Sequence, residues 1–204
     1  RLLEAMIAFS HLMKAYKVEA YRACATSAMR DASNGGKIKE AILQESGLNV
    51  EIINGQEEAD IIFEADGLNN FMGNSCNYLY VDVGGGSTEI AVYSDHRKMT
   101  SNSFQLGTVR ILVGAATDEE KERFKQWPKS IYEEYLSLGI IASGGNINKA
   151  YKMLGKKEGK PLNYTELKYL YDTLSDMTYE ERINSFKLNT YRADVIIPAS
   201  QIFL

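Results

Sequence analysis

The chain has 204 residues, 45% of them hydrophobic, and a formal net charge of −4 at pH 7. Its apolar content suffices for one large or two small domains. The acidic balance gives no general attraction to nucleic acid or to an anionic membrane surface. Cys24 and Cys76 offer neither a disulfide framework nor paired metal-ligand spacing, and His11 and His96 form no ligand pattern. The two lone cysteines make a reducing cytoplasm the expected setting, and no apolar run is long enough to span a bilayer.

The chain opens without a methionine, already inside an amphipathic helical pattern in which Leu2, Met6, Phe9, Met13 and Tyr16 fall near one face. It closes inside the apolar run Val195–Leu204, and a piece of a longer protein is expected. Val18–Ala25 has strand character, Ser27–Ser46 helical character, Leu48–Asn54 strand character, and Gln56–Leu68 predicts a helix with Ile61, Ile62 and Ala65 inward. This βαβα order argues for a parallel sheet. A domain boundary is expected within Asn69–Ser75. Asn77–Val83 is aromatic and β-branched, as a buried strand prefers, and strand character resumes at Glu89–Ser94 and Lys98–Leu106 around a turn at Ser94–Arg97. Thr117 opens a helical region as a capping box with Glu120, which Pro128 is expected to break or kink. Gly139–Leu154 predicts a short strand, a Ser-Gly-Gly turn and a helix, and the chain is helical from Asn163 onward.

Three strand ends carry residues that could hold an anion. Gly84, Gly85 and Gly86 remove every Cβ between two strands, so a partner atom can approach successive N–H groups, and Ser87 and Thr88 add hydroxyl donors. Asp82 and Glu89 flank this turn with hard oxygen donors suited to Mg²⁺; a glycine-rich turn with solvated acids is the simpler alternative. Ser143, Gly144 and Gly145 precede a helix whose first N–H groups could face phosphate, or serve only packing. Thr26 and Ser27 can cap the next helix, with Arg30 projecting from its first turn or pairing on the surface with Asp31. Glu57 and Glu58 lie in the first turn of a helix, where the dipole alone would favour acids.

Together these motifs resemble a known family. D-V-G-G-G-S-T-E at Asp82–Glu89, T-x-x-x-R-x-x-x-N at Thr26–Asn34, G-x-E-E-A at Gly55–Ala59 and S-G-G at Ser143–Gly145 are similar, in order and spacing, to the exopolyphosphatase / guanosine-pentaphosphate phosphohydrolase (Ppx/GppA) family. The segment from Tyr164 to Ala199 also looks like that family's helical stretch. The resemblance implies an α/β, actin-like, ribonuclease H-like fold of two related domains with phosphates bound between them. Residues 1–74 would be the rear part of the first domain, without its opening strands and phosphate loop, and 75–204 the second. An open sheet edge would then invite pairing with another chain, a homodimer included.

The resemblance also implies roles. Gly84–Thr88 would hold phosphate, Asp82 and Glu89 would bind Mg²⁺ and its waters, and Thr26 and Arg30 would meet phosphate from the first domain. Ser143, Gly144 and Gly145 would line the far wall, and Glu58 would orient and partly deprotonate the attacking water. The expected substrates are polyphosphate or guanosine pentaphosphate. Asp60 stands where many relatives carry Arg, and Asn54 where Ser is common. Two other classes stay open: a non-catalytic sensor of a phosphorylated nucleotide, and an ATP-dependent kinase or ATPase of the same superfold.

Overall fold

The computed structural model describes residues 1–65, 72, 76–135, 138–157 and 159–204. The chain divides into two compact units, Arg1–Asp60 and Ile61–Leu204. The boundary expected at Asn69–Ser75 falls on a stretch of which only Met72 is described.

The first unit runs α1 (Leu2–Ala15), β1 (Ala23–Ala25), α2 (Ser27–Asp31), α3 (Gly35–Ser46), β2 (Val50–Ile52) and the start of α4 (Gly55–Ala65). β1 and β2 pair in parallel, Ala23 opposite Val50, as the βαβ order requires. Ile42, Leu48 and Val50 form the core, and Leu3, Met6 and Met13 of α1 pack against it. Leu2, Phe9 and Tyr16, expected on the same face, are exposed.

Two expectations are corrected here. The strand expected over Val18–Ala25 shrinks to three residues, because its first part closes α1. The Val18 N–H donates to Met13 O at 3.0 Å and the Lys17 N–H to Lys14 O at 3.1 Å, with Lys17 at φ 53°. This is the usual way a helix satisfies its last carbonyls. The single helix expected over Ser27–Ser46 is two, since Ala32 is extended (ψ 127°). Ile61 and Ile62 of α4 are half-buried; the burial of Ala65 lies outside the described residues.

The second unit carries β3 (Asn77–Val83), β4 (Thr88–Ser94), β5 (Arg97–Phe104), α5 (Thr108–Leu112), α6 (Asp118–Tyr135), β6 (Leu138–Ser143), α7 (Gly145–Met153), α8 (Tyr164–Asp176), α9 (Tyr179–Phe186) and α10 (Thr190–Ile202). The sheet order is β5-β4-β3-β6, with β3 antiparallel to β4 and parallel to β6. On one face Leu79, Val81, Val83, Ile90, Val92 and Phe104 meet Phe124, Trp127 and Ile131 of α6. A second core joins α7 to α10 through Ile147, Leu167, Leu170, Leu174 and Ile196.

Pro128 does not break α6, which runs through it. The capping box at Thr117 is half made: the Glu120 N–H donates to Thr117 Oγ1 at 3.2 Å, while the Glu120 carboxylate accepts from the Gln105 N–H and from Arg123. Complete boxes occur instead at Asn163 and Thr178.

Candidate functional site

The parallel pairing of β3 with β6 sets Asp82 opposite Ser143, so both glycine loops leave the sheet at one carboxyl edge. That edge is where parallel strands bring loops and helix starts to a ligand. The antiparallel pairing sets Asp82 opposite Glu89, and Glu89 opposite Ser103. Cross-strand partners share a face, so Ser103, Glu89, Asp82 and Ser143 form one polar row across the sheet. Glu89 is only 1% exposed and accepts from Ser103 Oγ at 3.0 Å. Burying a carboxylate is costly unless hydrogen bonds or a cation meet it, and two hard oxygen donors on adjacent strands fit Mg²⁺ with its waters. Among the described residues no group of three or more His, Cys, Asp or Glu forms a complete metal cage.

The glycine loop is held from one side. The Gly84 N–H donates to Ser87 O at 3.0 Å and closes the turn. Its outward carbonyls are then taken by the first turn of α5. The Thr108 N–H donates to Gly84 O at 3.0 Å, the Val109 N–H to Gly85 O at 2.8 Å, and Arg110 Nε to Gly86 O at 2.9 Å. Among the described residues the N–H groups of Gly85, Gly86 and Ser87 have no acceptor. With the carbonyls engaged behind the loop, three successive donors remain for an anion. Thr88 differs from expectation: its hydroxyl is buried and donates to Leu106 O, which fixes the strand rather than reaching a ligand.

At the second loop Gly144 takes φ 110°, and a Cβ there would lie 3.0 Å from Val83 O and 3.4 Å from Asp82 Oδ1. Only glycine brings this loop so close to β3. Gly145 then opens α7, whose first N–H groups are unpaired by the helix itself.

In the first unit, α4 starts at an Asn54 cap, with Asn54 Oδ1 accepting from the Glu57 N–H at 2.9 Å. Asn is as good a cap as Ser. The two acids of the pair part ways. Glu57, 40% exposed, binds Arg22, which also holds Glu51 at 2.8 Å. Glu58, 12% exposed, faces Arg30 at 3.4 Å, and Arg30 Nη1 donates to Ile53 O at 2.6 Å. Thr26 precedes α2, but its side chain does not cap that helix.

Four further residues belong to the second unit's site and are not legible in the motifs. Gly107 and Arg110 support the glycine loop. Arg192 lies over the other loop: a Cβ on Gly145 would meet its Nη1 and Nη2 at 3.2 Å, and Nη1 donates to Asn146 Oδ1 at 3.0 Å. Tyr191 stands beside Gly85. Both come from α10, some hundred residues after the glycine loop, so only the folded chain reveals them.

One carboxyl edge of the sheet thus carries a pair of glycine loops, one of them flanked by two cross-strand acids. A sequence model described as the Ppx/GppA phosphatase family matches residues 1–204. The chain therefore belongs to the Ppx/GppA phosphatase family. It is 27% identical over 175 residues, 79% of its length, to the guanosine-5'-triphosphate,3'-diphosphate pyrophosphatase of Vibrio parahaemolyticus, and 26% identical over 198 residues, 91% of its length, to that of Aliivibrio fischeri. It spans only 35% and 39% of those two proteins. Its fold matches the crystal structure of the Aquifex aeolicus Ppx/GppA family member, with TM-score 0.74 at 27% identity, covering 100% of this chain and 71% of that one. It also matches an exopolyphosphatase from Cytophaga hutchinsonii, with TM-score 0.81 at 20% identity, covering 99% and 72%. The α/β fold expected from the sequence is shared with these proteins. Among the described residues no helix is long and apolar enough to cross a membrane.

Proposed function

We propose that this chain is part of a phosphoanhydride hydrolase that releases terminal phosphate from polyphosphate or guanosine pentaphosphate by attack of water. The observation that carries this reading is the glycine loop, with three unengaged N–H donors flanked by half-buried Asp82 and buried Glu89. The activities for which the relatives are named, guanosine-5'-triphosphate,3'-diphosphate pyrophosphatase and exopolyphosphatase, are of the same chemical kind.

In this reading Gly85, Gly86 and Ser87 bind a phosphate through N–H groups, and Gly144 and Gly145 supply the α7 start as a second anion site. Phosphoryl transfer needs placement and charge neutralisation more than covalent chemistry. Fixed N–H donors held by α5 provide both without reorganising during the reaction. Asp82 and Glu89 would hold Mg²⁺, which when bound neutralises charge on the phosphate oxygens. Arg30 neutralises substrate charge and orients Glu58. Glu58 accepts the proton of the attacking water as general base.

The test is Glu58→Gln in the whole protein, with Glu57→Gln as the internal control. The first should lower kcat on the order of 10²–10⁴-fold, the worth of a positioned general base. The second removes an exposed pairing with Arg22 and should cost less than about threefold, since exposed ion pairs contribute little. Phosphate release from the two substrates, measured side by side, reads both. Equal and small losses would remove Glu58 from the reaction and favour a phosphonucleotide sensor.

A further inference from the structure

The glycine loop has a neighbour that no motif assigns. Asn189 caps α10, its Oδ1 accepting from the Arg192 N–H at 2.7 Å, and so fixes the first turn in which Tyr191 stands. The Tyr191 side chain is 59% exposed. Its hydroxyl nevertheless has a defined place: a methyl group on Gly85 would lie 4.0 Å from Tyr191 Oη and 3.4 Å from Val109 Cγ2. Among the described residues the hydroxyl has no hydrogen-bond partner. An unengaged phenol donor therefore stands at contact distance from the loop that presents three unengaged N–H donors.

We infer that the Tyr191 hydroxyl is a fourth donor of this cradle and contacts the phosphoanhydride chain directly. The inference rests on the hydrolase reading only in taking the glycine loop as the phosphate site. The loop carbonyls of Gly84, Gly85 and Gly86 are already spent on α5 and Arg110, so an acceptor offered to this hydroxyl has to come from a ligand or from water. A phosphate oxygen seated on the Gly85–Ser87 N–H groups supplies one. A charged acceptor also makes such a bond shorter and stronger than one to water. Arg192 from the same turn lies over Gly145, so the start of α10 serves both loops, Tyr191 at one and Arg192 at the other.

Removing a contact made equally in the bound substrate and in the transition state raises KM and leaves kcat alone. Tyr191→Phe removes one oxygen and keeps the ring. In the whole protein it should raise KM on the order of tenfold to a hundredfold, the worth of a hydrogen bond to a charged group. Its kcat should stay within about threefold, and the rise should be similar for polyphosphate and for guanosine pentaphosphate. Tyr191→Ala should be no worse than Tyr191→Phe by more than about threefold. If Tyr191→Phe behaves as wild type and only Tyr191→Ala is impaired, the ring packs on Gly85 and the contact is refuted. An effect confined to guanosine pentaphosphate would place the hydroxyl on the nucleoside and refute the phosphate assignment.

Calorimetric binding of inorganic tripolyphosphate, compared between wild type and Tyr191→Phe, separates this from the hydrolase reading. Binding that weakens at least fivefold without any turnover by wild type keeps Tyr191 and discards hydrolysis. Absence of both binding and turnover discards both.

Discussion

At Gly107 one hydrogen in place of a methyl group lets the glycine loop rest on the start of α5. A Cβ there would lie 2.4 Å from the carbonyl carbon and oxygen of Gly85 and 2.5 Å from Gly86 C. These are backbone atoms, so neither can rotate aside. Gly107→Ala must therefore push the loop from α5 and break the bonds that occupy its carbonyls. Overpacking of this kind costs about 1–3 kcal/mol, and denaturant unfolding of the variant should show a loss of that size together with lost phosphate binding. Gly36 is the contrast: it lies inside α3 with open space where a Cβ would project. Gly36→Ala should stabilise by about 0.4–1 kcal/mol, through reduced freedom of the unfolded chain. A stable, ligand-binding Gly107→Ala protein would show that the loop is not held by this close approach.

Among the elements, α6 shows how a helix is fixed to the sheet edge that frames the site. Arg123 donates to Asn102 Oδ1 at 3.1 Å and to Ser103 O at 2.7 Å, and its guanidinium lies 4.3 Å from the centre of the Phe104 ring. Phe104 in turn meets Phe124 and Trp127 edge-on at 5.2 Å and 5.9 Å. Glu120 completes the joint by binding Arg123 at 2.6 Å and accepting from the Gln105 N–H at 2.6 Å. The Arg123 hydrogen bond, opposed by partial burial and helped by the Gln105 N–H, holds the Glu120 carboxyl below its ordinary value. A carboxyl lowered in the folded state stabilises fully above its unfolded pKa, and that contribution fades as pH falls through the lowered folded value. Glu120→Gln should therefore cost about 1–2 kcal/mol at pH 7. The gap to wild type should narrow below about pH 4 and close in stronger acid. Thermal unfolding from pH 7 to pH 2 checks this; a gap that persists unchanged in strong acid would assign the cost to shape rather than charge.

For the whole molecule, what could be read from the sequence follows from how local each feature is. β3 and β4 were legible because both faces of each strand are largely buried, giving runs of β-branched and aromatic residues, and the glycine loop because its chemistry is contiguous. β1 was overestimated because Val18 closes a helix, a use that alternation cannot reveal. α5, five residues long, escaped notice because carbonyls of a loop more than twenty residues earlier hold its first turn. Tyr191 and Arg192 escaped because a helix remote in sequence carries them to the site. The two compact units also explain why the motifs fall into two groups, each with its own apolar core: Ile42, Leu48 and Val50 in the first, and the clusters around Phe104 and Leu174 in the second. This makes a prediction about stability. Ile42 is 1% exposed and Leu174 fully buried, so truncating either to alanine should cost about 2–5 kcal/mol locally. In native-state hydrogen exchange, Ile42→Ala should speed the protected amides of α3 and β2 by at least about thirtyfold and leave α7, α8 and α10 within about threefold. Leu174→Ala should do the reverse. If either substitution lowered protection equally in both sets of helices, the units would unfold as one cooperative body, and the separate cores would not be separate in energy.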